Sequence, residues 1–384
     1  MESASGPAAL RVALVYDIDA CRGPTGVTRH ALAQLERLAQ RSDVRLQVLS
    51  GRVTVPEGQA YWDALGDVPR RALGARTRDL LRLWRIAGWP PIERWTGAVD
   101  WVYCPAEYFV PTHRARRAVT SHDILQDLRF GNPRRRRLLA RAFHNAELIL
   151  SVSRFNTAQL LTAFPECQGK VAYVPNAAED LFFEPASAAD RASVRADLGV
   201  PEGIPYLLSV ANFQPRKNLE RLVRAAARLP EVARGDLAVV LLGEGSEAET
   251  RALRAEVHRA GTRAKILLPG YRQGVSLRAA YAEALALVFP SLCESFGIPA
   301  VEAMAQGLPV VLSETTALPE IAREAGWYFD PESEDALLAV LRHLLDSPVL
   351  REQRASLGRS IAAEYRWECS SELLVAALKA DSGV

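Results

Sequence analysis

Residues 290–304 read PSLCESFGIPAVEAM and carry more information than any other part of the sequence. The apolar run 284–289 before them predicts a buried strand, and residues 299–306 predict a helix. Glu294 lies in the loop between these elements, and Glu302 is expected in the first turn of the helix. A loop from a strand into a helix directs backbone N–H groups at one point, so it predicts an anion site. We interpret the two carboxylates beside that site as groups that hold the hydroxyl groups of a phosphorylated sugar.

The composition predicts a soluble globular protein of two domains. The chain has 384 residues, 49% of them hydrophobic, and a formal net charge of +2. A charge so close to zero argues against nucleic-acid binding. The five cysteines are scattered without a CxxC pair, as expected of a reduced cytosolic protein without a structural zinc site. The first residues lack a signal-peptide pattern, and no apolar run approaches the ~20 residues of a membrane span.

Strands and helices alternate along both halves of the chain. Residues 10–16 are apolar apart from Arg11, and such a run is typical of parallel sheets covered on both faces. In the second half, strands at 206–210, 237–242 and 285–289 alternate with helices. This pattern predicts two doubly wound α/β domains, joined by a hinge at 185–190. Because ligands lie beyond the carboxyl ends of such strands, a cleft between the domains is the expected binding site.

Residues 294–311, ESFGIPAVEAMAQGLPVV, resemble the signature of glycosyltransferase family 4, the retaining nucleotide-sugar enzymes of GT-B fold. In that family two glutamates separated by seven residues flank the donor site, as they do here. The resemblance implies an α/β fold of two Rossmann-like, doubly wound domains that face a cleft. Residues 1–184 would then bind the acceptor and 185–365 the nucleotide sugar, while a helix at 366–384 crosses back onto the N-terminal domain.

The resemblance assigns the two glutamates and the turn between them to the donor. It implies that Glu302 holds the ribose hydroxyls and that Glu294 holds the hydroxyls of the transferred sugar. It also implies that the backbone N–H groups of Phe296, Gly297 and Ile298 face the sugar and the phosphate. The residues by themselves leave a second interpretation open, in which the helix dipole favours an acid at the start of the helix by ~0.3–1 kcal/mol.

A second candidate site is the basic loop that follows the strand at 206–210. This chain carries its positive charge almost entirely as arginine, so Lys217 beside Arg216 is informative. Two cations at the carboxyl end of a strand can neutralise a diphosphate, although a solvated pair is the commoner outcome. The sequence PRKN resembles the family motif whose lysine contacts the donor phosphates. Many members carry an arginine where Asn212 stands, so Arg216 would supply the second cation here and Asn212 would line the donor site.

Two residues of the N-terminal half are further candidates. Gly26 opens a helix after the first strand and can face a phosphate, although an ordinary turn glycine explains it equally well. His122 ends a short strand, where a lone histidine is more often structural. The resemblance implies that the glycine loop approaches the donor. It also implies that His122 positions the transferred sugar rather than acting as a general base.

Two patterns that suggest other chemistry are rejected. Residues 243–248 fit the dinucleotide pattern GxGxxA, but the next strand lacks the acid at its end that would bind a ribose. The resemblance implies instead that Gly243 and Tyr271 line the nucleotide base. Asp17 and Asp19 have the Asp-x-Asp spacing of metal-dependent transferases, yet the fold resembled works without a metal. We therefore expect neither a cofactor nor a metal.

Arginine and tryptophan are concentrated in the N-terminal half. The arginines are Arg70, Arg71, Arg78, Arg82, Arg85 and the run 134–137. Either they form a solvated helix face, or they meet an anionic membrane with Trp84 and Trp89 as anchors. In the second case this cytoplasmic protein would be peripheral on the inner face of the cell membrane.

The resemblance as a whole implies a metal-independent hexosyltransferase. It would move a sugar from a nucleoside-diphosphate sugar, with GDP-mannose the first choice and a UDP-sugar the second. The acceptor would be a hydroxyl of a glycan or of a lipid-linked molecule in cell-surface polysaccharide or glycolipid synthesis. The implied catalytic residues are His122, Lys217, Arg216 and Glu294. Two alternatives stay open: a nucleotide-sugar hydrolase or epimerase on the same scaffold, and a non-catalytic carbohydrate- or membrane-binding protein.

Overall fold

The computed structural model describes residues 9–22, 25–130, 133–261 and 265–382. The chain divides into two compact units, Met1–Asn176 with Trp367–Val384, and Ala177–Arg366. Each unit is built around one parallel sheet that carries helices on both faces, as the alternation of strands and helices predicts.

The first unit contains a seven-stranded sheet in the order β3-β2-β1-β4-β5-β6-β7, with every neighbouring pair parallel. Its strands are β1 Leu10–Val15, β2 Val44–Ser50, β3 Arg70–Ala72, β4 Trp101–Cys104, β5 Arg116–Ser121, β6 Leu148–Ser151 and β7 Val171–Tyr173. Its helices are α1 Gly26–Ala39, α2 Pro56–Ala64, α3 Thr77–Ala87, α4 Glu93–Thr96, α5 Ile124–Phe130, α6 Pro133–Asn145 and α7 Arg154–Ala163, followed by the C-terminal helix Trp367–Ser382.

Burial on both faces explains why β1 reads as one apolar run. Val12 and Leu14 belong to a core that includes side chains of α1 and of the C-terminal helix. Ala13 and Val15 point the other way, into a core that includes Phe143 of α6. Because successive side chains of a strand alternate between faces, a strand covered on both sides needs apolar residues at consecutive positions, as at 12–15; Arg11 near the start of β1 is exposed.

The C-terminal helix is part of the first unit, in agreement with the predicted crossing back. Leu374 and Leu378 are fully buried in the core of that unit. The indole Nε1 of Trp101 donates to the carbonyl oxygen of Leu378 over 3.1 Å. Gln34 of α1 donates to the hydroxyl of Ser370 over 2.8 Å. Apolar burial and these two hydrogen bonds therefore attach the helix to the sheet.

The second unit contains a six-stranded parallel sheet in the order β10-β9-β8-β11-β12-β13. Its strands are β8 Tyr206–Val210, β9 Ala238–Leu242, β10 Ile266–Gly270, β11 Ala286–Phe289, β12 Val310–Ser313 and β13 Gly326–Phe329. Its helices are α8 Ala188–Leu198, α9 Leu219–Ala227, α10 Pro230–Arg234, α11 Glu247–Arg259, α12 Gly274–Glu283, α13 Ile298–Ala305, α14 Leu318–Ala322, α15 Glu334–Asp346 and α16 Pro348–Ala362.

The units divide after Asn176, so the predicted boundary at 184/185 lies too late in the chain. The short helix Asp180–Phe183 already packs on the second unit, since the rings of Phe182 and Tyr281 lie 5.9 Å apart. Gln306 also donates to the carbonyl oxygens of Phe182 and Glu184 over 2.6 and 2.8 Å. The predicted hinge at 185–190 instead leads into α8, inside the second unit.

Gly243 occupies a position where the backbone just after β8 leaves no room for a side chain. Its φ is +145°, and a Cβ atom there would lie 1.8 Å from the carbonyl oxygen of Ala211. We expect Gly243→Ala to lower the free energy of unfolding by about 3 kcal/mol in urea denaturation followed by tryptophan fluorescence. Gly199→Ala is the matched control, because Gly199 also has a positive φ, of +71°, but would place its Cβ in open space. It should cost only about 1 kcal/mol, and equal losses would contradict this explanation.

Candidate active site

The loops after β8 and β11 meet at the carboxyl edge of the second sheet. These strands are neighbours at the point where the strand order reverses, which is where doubly wound sheets bind their ligands. The backbone N–H of Leu292 donates to the carbonyl oxygen of Arg216 over 2.8 Å. The side-chain amide of Asn218 donates to the carbonyl oxygen of Pro290 over 3.0 Å. The two predicted donor loops are thus one hydrogen-bonded structure.

Lys217 and Glu294 form a buried ion pair between these loops. The ammonium group donates directly to the Glu294 carboxylate, and the Arg216 guanidinium lies 3.7 Å from the same oxygen. Arg216 also donates to the carbonyl oxygen of Cys293 over 3.1 Å. Burial alone would raise the pKa of Glu294, but the two cations outweigh it and hold this pKa below its ordinary value. The structure therefore brings together three of the predicted catalytic residues.

A strained threonine fixes the backbone of Glu294. The N–H of Glu294 donates to the hydroxyl of Thr316 over 3.2 Å, and its carbonyl oxygen accepts from the N–H of Ala317 over 3.2 Å. Thr316 has a φ of +64°, a conformation that β-branched residues rarely adopt. Sequence reasoning missed Thr316, because neither its spacing nor its residue type signals a contact with Glu294.

The start of α13 offers free N–H groups beside this ion pair. Gly297 caps the helix with a φ of +101°, and a Cβ there would lie 2.6 Å from Leu318. Within the described ranges, the N–H groups of Phe296, Gly297 and Ile298 donate to no acceptor of the protein. The ring of Phe296 packs edge-on against Tyr365 at 5.5 Å. A glycine at the cap and unused N–H groups make this helix start suitable for an anion.

Glu302 lies deeper than the sequence predicts. It is the fifth residue of α13 rather than a first-turn residue, and it is 1% exposed. The prediction of a first-turn acid that interacts with the helix dipole is therefore wrong. The Tyr281 hydroxyl donates to its carboxylate over 2.8 Å. Sequence reasoning missed Tyr281, which lies on α12 and has no signal of its own.

The remaining predicted donor residues of the second unit lie on the same sheet edge. Gly243, Tyr271 and Asn212 directly or closely follow β9, β10 and β8. The N–H of Phe213 donates to the carbonyl oxygen of Glu244 over 2.9 Å, so the loops after β8 and β9 are joined. Tyr271 and Asn212 are exposed. Among the described residues, none of the three forms a hydrogen bond or ion pair with Lys217 or Glu294.

Gly26 and His122 belong to the first unit, at the carboxyl ends of β1 and β5. Gly26 is the exposed first residue of α1. Four residues further along α1, the buried ring of His30 lies 4.8 Å from the ring of His122. The structure therefore places the predicted glycine helix next to the predicted histidine.

His122 is held neutral and oriented by its neighbours. Its backbone N–H donates to the Glu107 carboxylate over 2.8 Å, and its ring Nε2 lies 2.8 Å from the carbonyl oxygen of Pro105. Because a carbonyl can only accept, Nε2 carries the proton and Nδ1 is the acceptor. Burial lowers the pKa of His122 more than Glu107 raises it, so the ring is neutral at pH 7. Sequence reasoning missed Glu107. Its position three residues beyond β4, near the carboxyl edge of the sheet, was the available signal.

The Asp-x-Asp pattern has a structural role. Asp19 accepts from the N–H and hydroxyl of Thr54 over 2.9 and 2.6 Å, and from the N–H of Val55 over 3.3 Å. Among the described residues, no three histidine, cysteine, aspartate or glutamate side chains are grouped as in a metal site. Asp19 therefore fixes a turn of the first unit.

One of the two predicted membrane anchors is wrong. Trp84 is 1% exposed and packs edge-on against Trp95 at 6.1 Å. Trp89 is 61% exposed, and Leu83 and Ile86 of α3 are exposed with it. The exposed apolar residues of this segment are therefore Leu83, Ile86 and Trp89. No helix in the described part of the chain has the length and hydrophobicity to cross a membrane.

The two Rossmann-like units, each a parallel sheet with helices on both faces, have the GT-B fold. Residues 190–361, which make up most of the second unit, match the family model for glycosyl transferases group 1. The resemblance found in residues 294–311 and the predicted fold class are confirmed.

Named relatives and solved structures are similar to this chain over most of its length. O-antigen chain mannosyltransferase B of Escherichia coli is 29% identical over 368 residues, 91% of this chain and 95% of the relative. A GDP-mannose-dependent monoacylated alpha-(1-6)-phosphatidylinositol monomannoside mannosyltransferase of Corynebacterium glutamicum is 26% identical, over 65% of this chain and 66% of the relative. Anabaena HepE in complex with UDP and glucose has a TM-score of 0.76 over 97% of this chain and 100% of that chain, at 16% identity. This last likeness shows the fold alone.

The ion pair predicts a dependence of stability on pH. In the parent, Glu294 contributes stability that is present above the ordinary carboxyl pKa of ~4.3 and is lost as the pH falls through its lowered pKa. Lys217→Met leaves the buried carboxylate without its closest cation. We expect it to lower the free energy of unfolding by about 3 kcal/mol at pH 7, and by less at pH 4, where the carboxyl group of the variant takes up a proton.

Lys265→Met is the matched control, measured by the same urea titrations at both pH values. Lys265 lies in the same unit, and its one acceptor among the described residues is the carbonyl oxygen of Gly235, at 3.0 Å. Its loss of stability should therefore be equal at pH 7 and pH 4. If both variants showed the same pH dependence, Lys217 would not be what holds the charge on Glu294.

Proposed function

We propose that this group 1 glycosyltransferase moves a hexosyl unit from a nucleoside-diphosphate sugar to a hydroxyl of a glycan or lipid-linked acceptor, with retention of configuration. The observation that carries the proposal is the buried Lys217–Glu294 pair beside the free N–H groups at the start of α13. Cations and helix N–H groups stabilise a diphosphate, and a carboxylate accepts hydrogen bonds from sugar hydroxyls. A nucleotide sugar carries a diphosphate and sugar hydroxyls next to each other.

The proposed donor is GDP-mannose, with a UDP-sugar as the second choice. Two of the relatives are named as mannosyltransferases, and one of these names specifies GDP-mannose. The name of the other includes an O-antigen chain, which supports a role in the synthesis of a cell-surface polysaccharide or glycolipid. A thermal-shift panel of GDP-, UDP-, ADP- and dTDP-sugars tests the choice, and GDP-mannose should give the largest stabilisation.

In the proposed reaction the acceptor oxygen attacks the anomeric carbon while the bond from that carbon to the diphosphate oxygen breaks. The acceptor proton passes to an oxygen of the departing diphosphate, so the products are the glycoside and the nucleoside diphosphate. Lys217, Arg216 and the N–H groups at the start of α13 stabilise the charge that develops on the diphosphate. The acceptor attacks the same face of the sugar that the diphosphate leaves. The configuration of the anomeric carbon is therefore retained without a carboxylate nucleophile.

The two acidic residues hold hydroxyl groups in this proposal. Glu294 already contacts two cations and Glu302 already accepts from Tyr281, so neither has the surroundings of a glycosidase nucleophile or acid. Glu302 binds the ribose and Glu294 the transferred sugar. The neutral ring of His122 offers Nδ1 as an acceptor for a sugar hydroxyl, which suits a positioning role. Gly26 approaches the phosphates, while Gly243, Tyr271 and Asn212 line the nucleotide.

In this proposal Lys217 and Arg216 neutralise the charge of the diphosphate, which a metal would otherwise neutralise. We therefore propose that transfer needs no metal or cofactor. We also propose a cytoplasmic location with peripheral contact to an anionic membrane. Exposed Leu83, Ile86 and Trp89 lie beside the arginines of α3, which is the composition of an interfacial helix. Sedimentation with phosphatidylglycerol vesicles tests this contact, and Ile86→Ser should weaken it.

We expect Lys217→Ala to lower kcat for transfer by about 10²–10³-fold, because it removes a preorganised charge from the departing diphosphate. Release of the nucleoside diphosphate, measured with and without acceptor saccharides, reports the rate and separates transfer from hydrolysis. The matched control Lys265→Ala should retain the parent rate, and EDTA should leave that rate unchanged. Release without acceptor at the full rate would favour the hydrolase. Unchanged donor binding in both Lys217→Ala and Glu294→Ala would favour the non-catalytic alternative.

The proposed division of labour between the two glutamates can be tested with deoxynucleotides. The parent should bind the preferred nucleoside diphosphate about tenfold more tightly than its 2′-deoxy or 3′-deoxy analogue, since a hydrogen bond to a carboxylate is at stake. In Glu302→Gln this preference should largely disappear in calorimetric titrations. Glu294→Gln is the control and should retain it. Retention in both variants, or loss in both, would contradict the assignment of the ribose to Glu302.

A further inference from the structure

A cavity of about 580 Å³ lies in the first unit, against α3, α6 and the segment after β4. We call it the arginine cavity, and its principal lining residues are Arg82, Arg85, Arg135, Arg141, Tyr108 and Phe109. Every one of these residues belongs to the first unit, so the cavity does not depend on the second. None of its lining residues comes from the loops that carry Lys217 and Glu294.

The arginine cavity has more positive charge than its acids can balance. Arg82 and Arg85 are exposed neighbours on one face of α3, and within the described ranges neither has a carboxylate partner. The two acids of the lining are already engaged, because Asp79 lies 3.8 Å from Arg78 and Glu107 contacts Arg135 and His122. Like charges three residues apart on a helix repel each other, and a bound anion removes that cost.

The cavity also has an aromatic wall that orients one of its cations. The guanidinium of Arg141 lies 4.2 Å from the centroid of the Phe109 ring, and it donates to the backbone carbonyl of Arg85. Tyr108 is the second aromatic residue of the lining. Arg82, Arg85 and Arg141 thus bring three guanidinium groups from two helices to the cavity. Each planar guanidinium group can bind two phosphate oxygens at once.

Glu107 connects the arginine cavity to His122. One of its carboxylate oxygens lies 3.2 Å from Arg135, while the other accepts from the backbone N–H of His122 over 2.8 Å. Glu107 is itself buried, so the side chain spans directly from the cavity to the residue beyond β5. A molecule bound among the arginines therefore lies one side chain away from the residue that we assign to the transferred sugar.

We propose that the arginine cavity binds the diphosphate of the acceptor, so that the acceptor is a saccharide joined to its lipid through a diphosphate. Such a molecule carries two phosphates next to the first sugar, which matches adjacent cations on one side and His122 on the other. A neutral saccharide would leave Arg82 and Arg85 without a counterion. This inference rests on the proposed transferase function, because that function makes the bound molecule the acceptor. The binding of a diphosphate can nevertheless be measured by itself.

The binding experiment uses inorganic pyrophosphate and isothermal titration calorimetry on the full chain. Because the donor site also binds diphosphate, titrations are made in the Lys217→Ala background. The double variant Arg82→Gln/Arg85→Gln should then bind pyrophosphate at least about tenfold more weakly, since charged hydrogen bonds are lost. The matched control is Arg45→Gln/Arg94→Gln, two exposed arginines of the same unit that line a different cavity. It should bind as its background does, and equal affinity of the two double variants would overturn the proposal.

The kinetic experiment compares two acceptors that share a saccharide, one free and one carrying a short alkyl diphosphate. In Arg82→Gln/Arg85→Gln the KM for the diphosphate acceptor should rise about tenfold or more, while the KM for the free saccharide should not change. Equal rises for both acceptors would overturn the proposal. A loss of binding to phosphatidylglycerol vesicles without any change in either KM would also overturn it, because the arginines would then serve the membrane.

The same variants distinguish this inference from the donor site. If Lys217→Ala abolished all pyrophosphate binding, the arginine cavity would bind none and this inference would fail while the transferase assignment survived. If Lys217→Ala kept its binding and its transfer rate, and only the arginine double variant lost affinity, the assignment of Lys217 would fail and the arginine cavity would stand.

Discussion

The buried ion pair of Lys217 and Glu294 is the interaction on which the rest of the second unit depends. Two charges taken out of water are stable only if they are well paired, so the loops after β8 and β11 must hold both side chains in one geometry. Hydrogen bonds between the backbones of these loops and the strained Thr316 provide that geometry. The free N–H groups at the start of α13 lie in the same loop. One ion pair therefore determines the position of the whole anion site.

The first unit treats its two buried histidines in the opposite way, by keeping them neutral. Burial lowers the pKa values of both His30 and His122, and each ring is held by neutral partners or by a backbone carbonyl. The ring Nδ1 of His30 lies 2.9 Å from the side-chain oxygen of Asn176. Its Nε2 lies 3.0 Å from the hydroxyl of Tyr103. The sheet edge of one unit thus presents charge for a diphosphate, and that of the other presents neutral groups for sugar hydroxyls.

The sequence alone predicts the sheets well and the side-chain partners poorly. Periodicity and burial are local signals, so strands such as β8 and the cationic loop with Lys217 can be read from the residues around them. The position of Glu302 was predicted wrongly, because the helix starts one residue earlier than expected. The exposure of Trp84 was predicted wrongly, because Trp84 packs against Trp95. Tyr281, Thr316 and Glu107 escape prediction, since each acts on a residue distant in sequence.

The C-terminal helix makes the first unit discontinuous, and this has a consequence for the order of folding. Trp101 and Gln34 obtain their partners on that helix only after the ribosome has made all of the second unit. The second unit is continuous in sequence and can complete its core first, although it is synthesised later. Until then the nascent first unit exposes the apolar surface that Leu374 and Leu378 will cover, and a chaperone that recognises such surfaces has its target there.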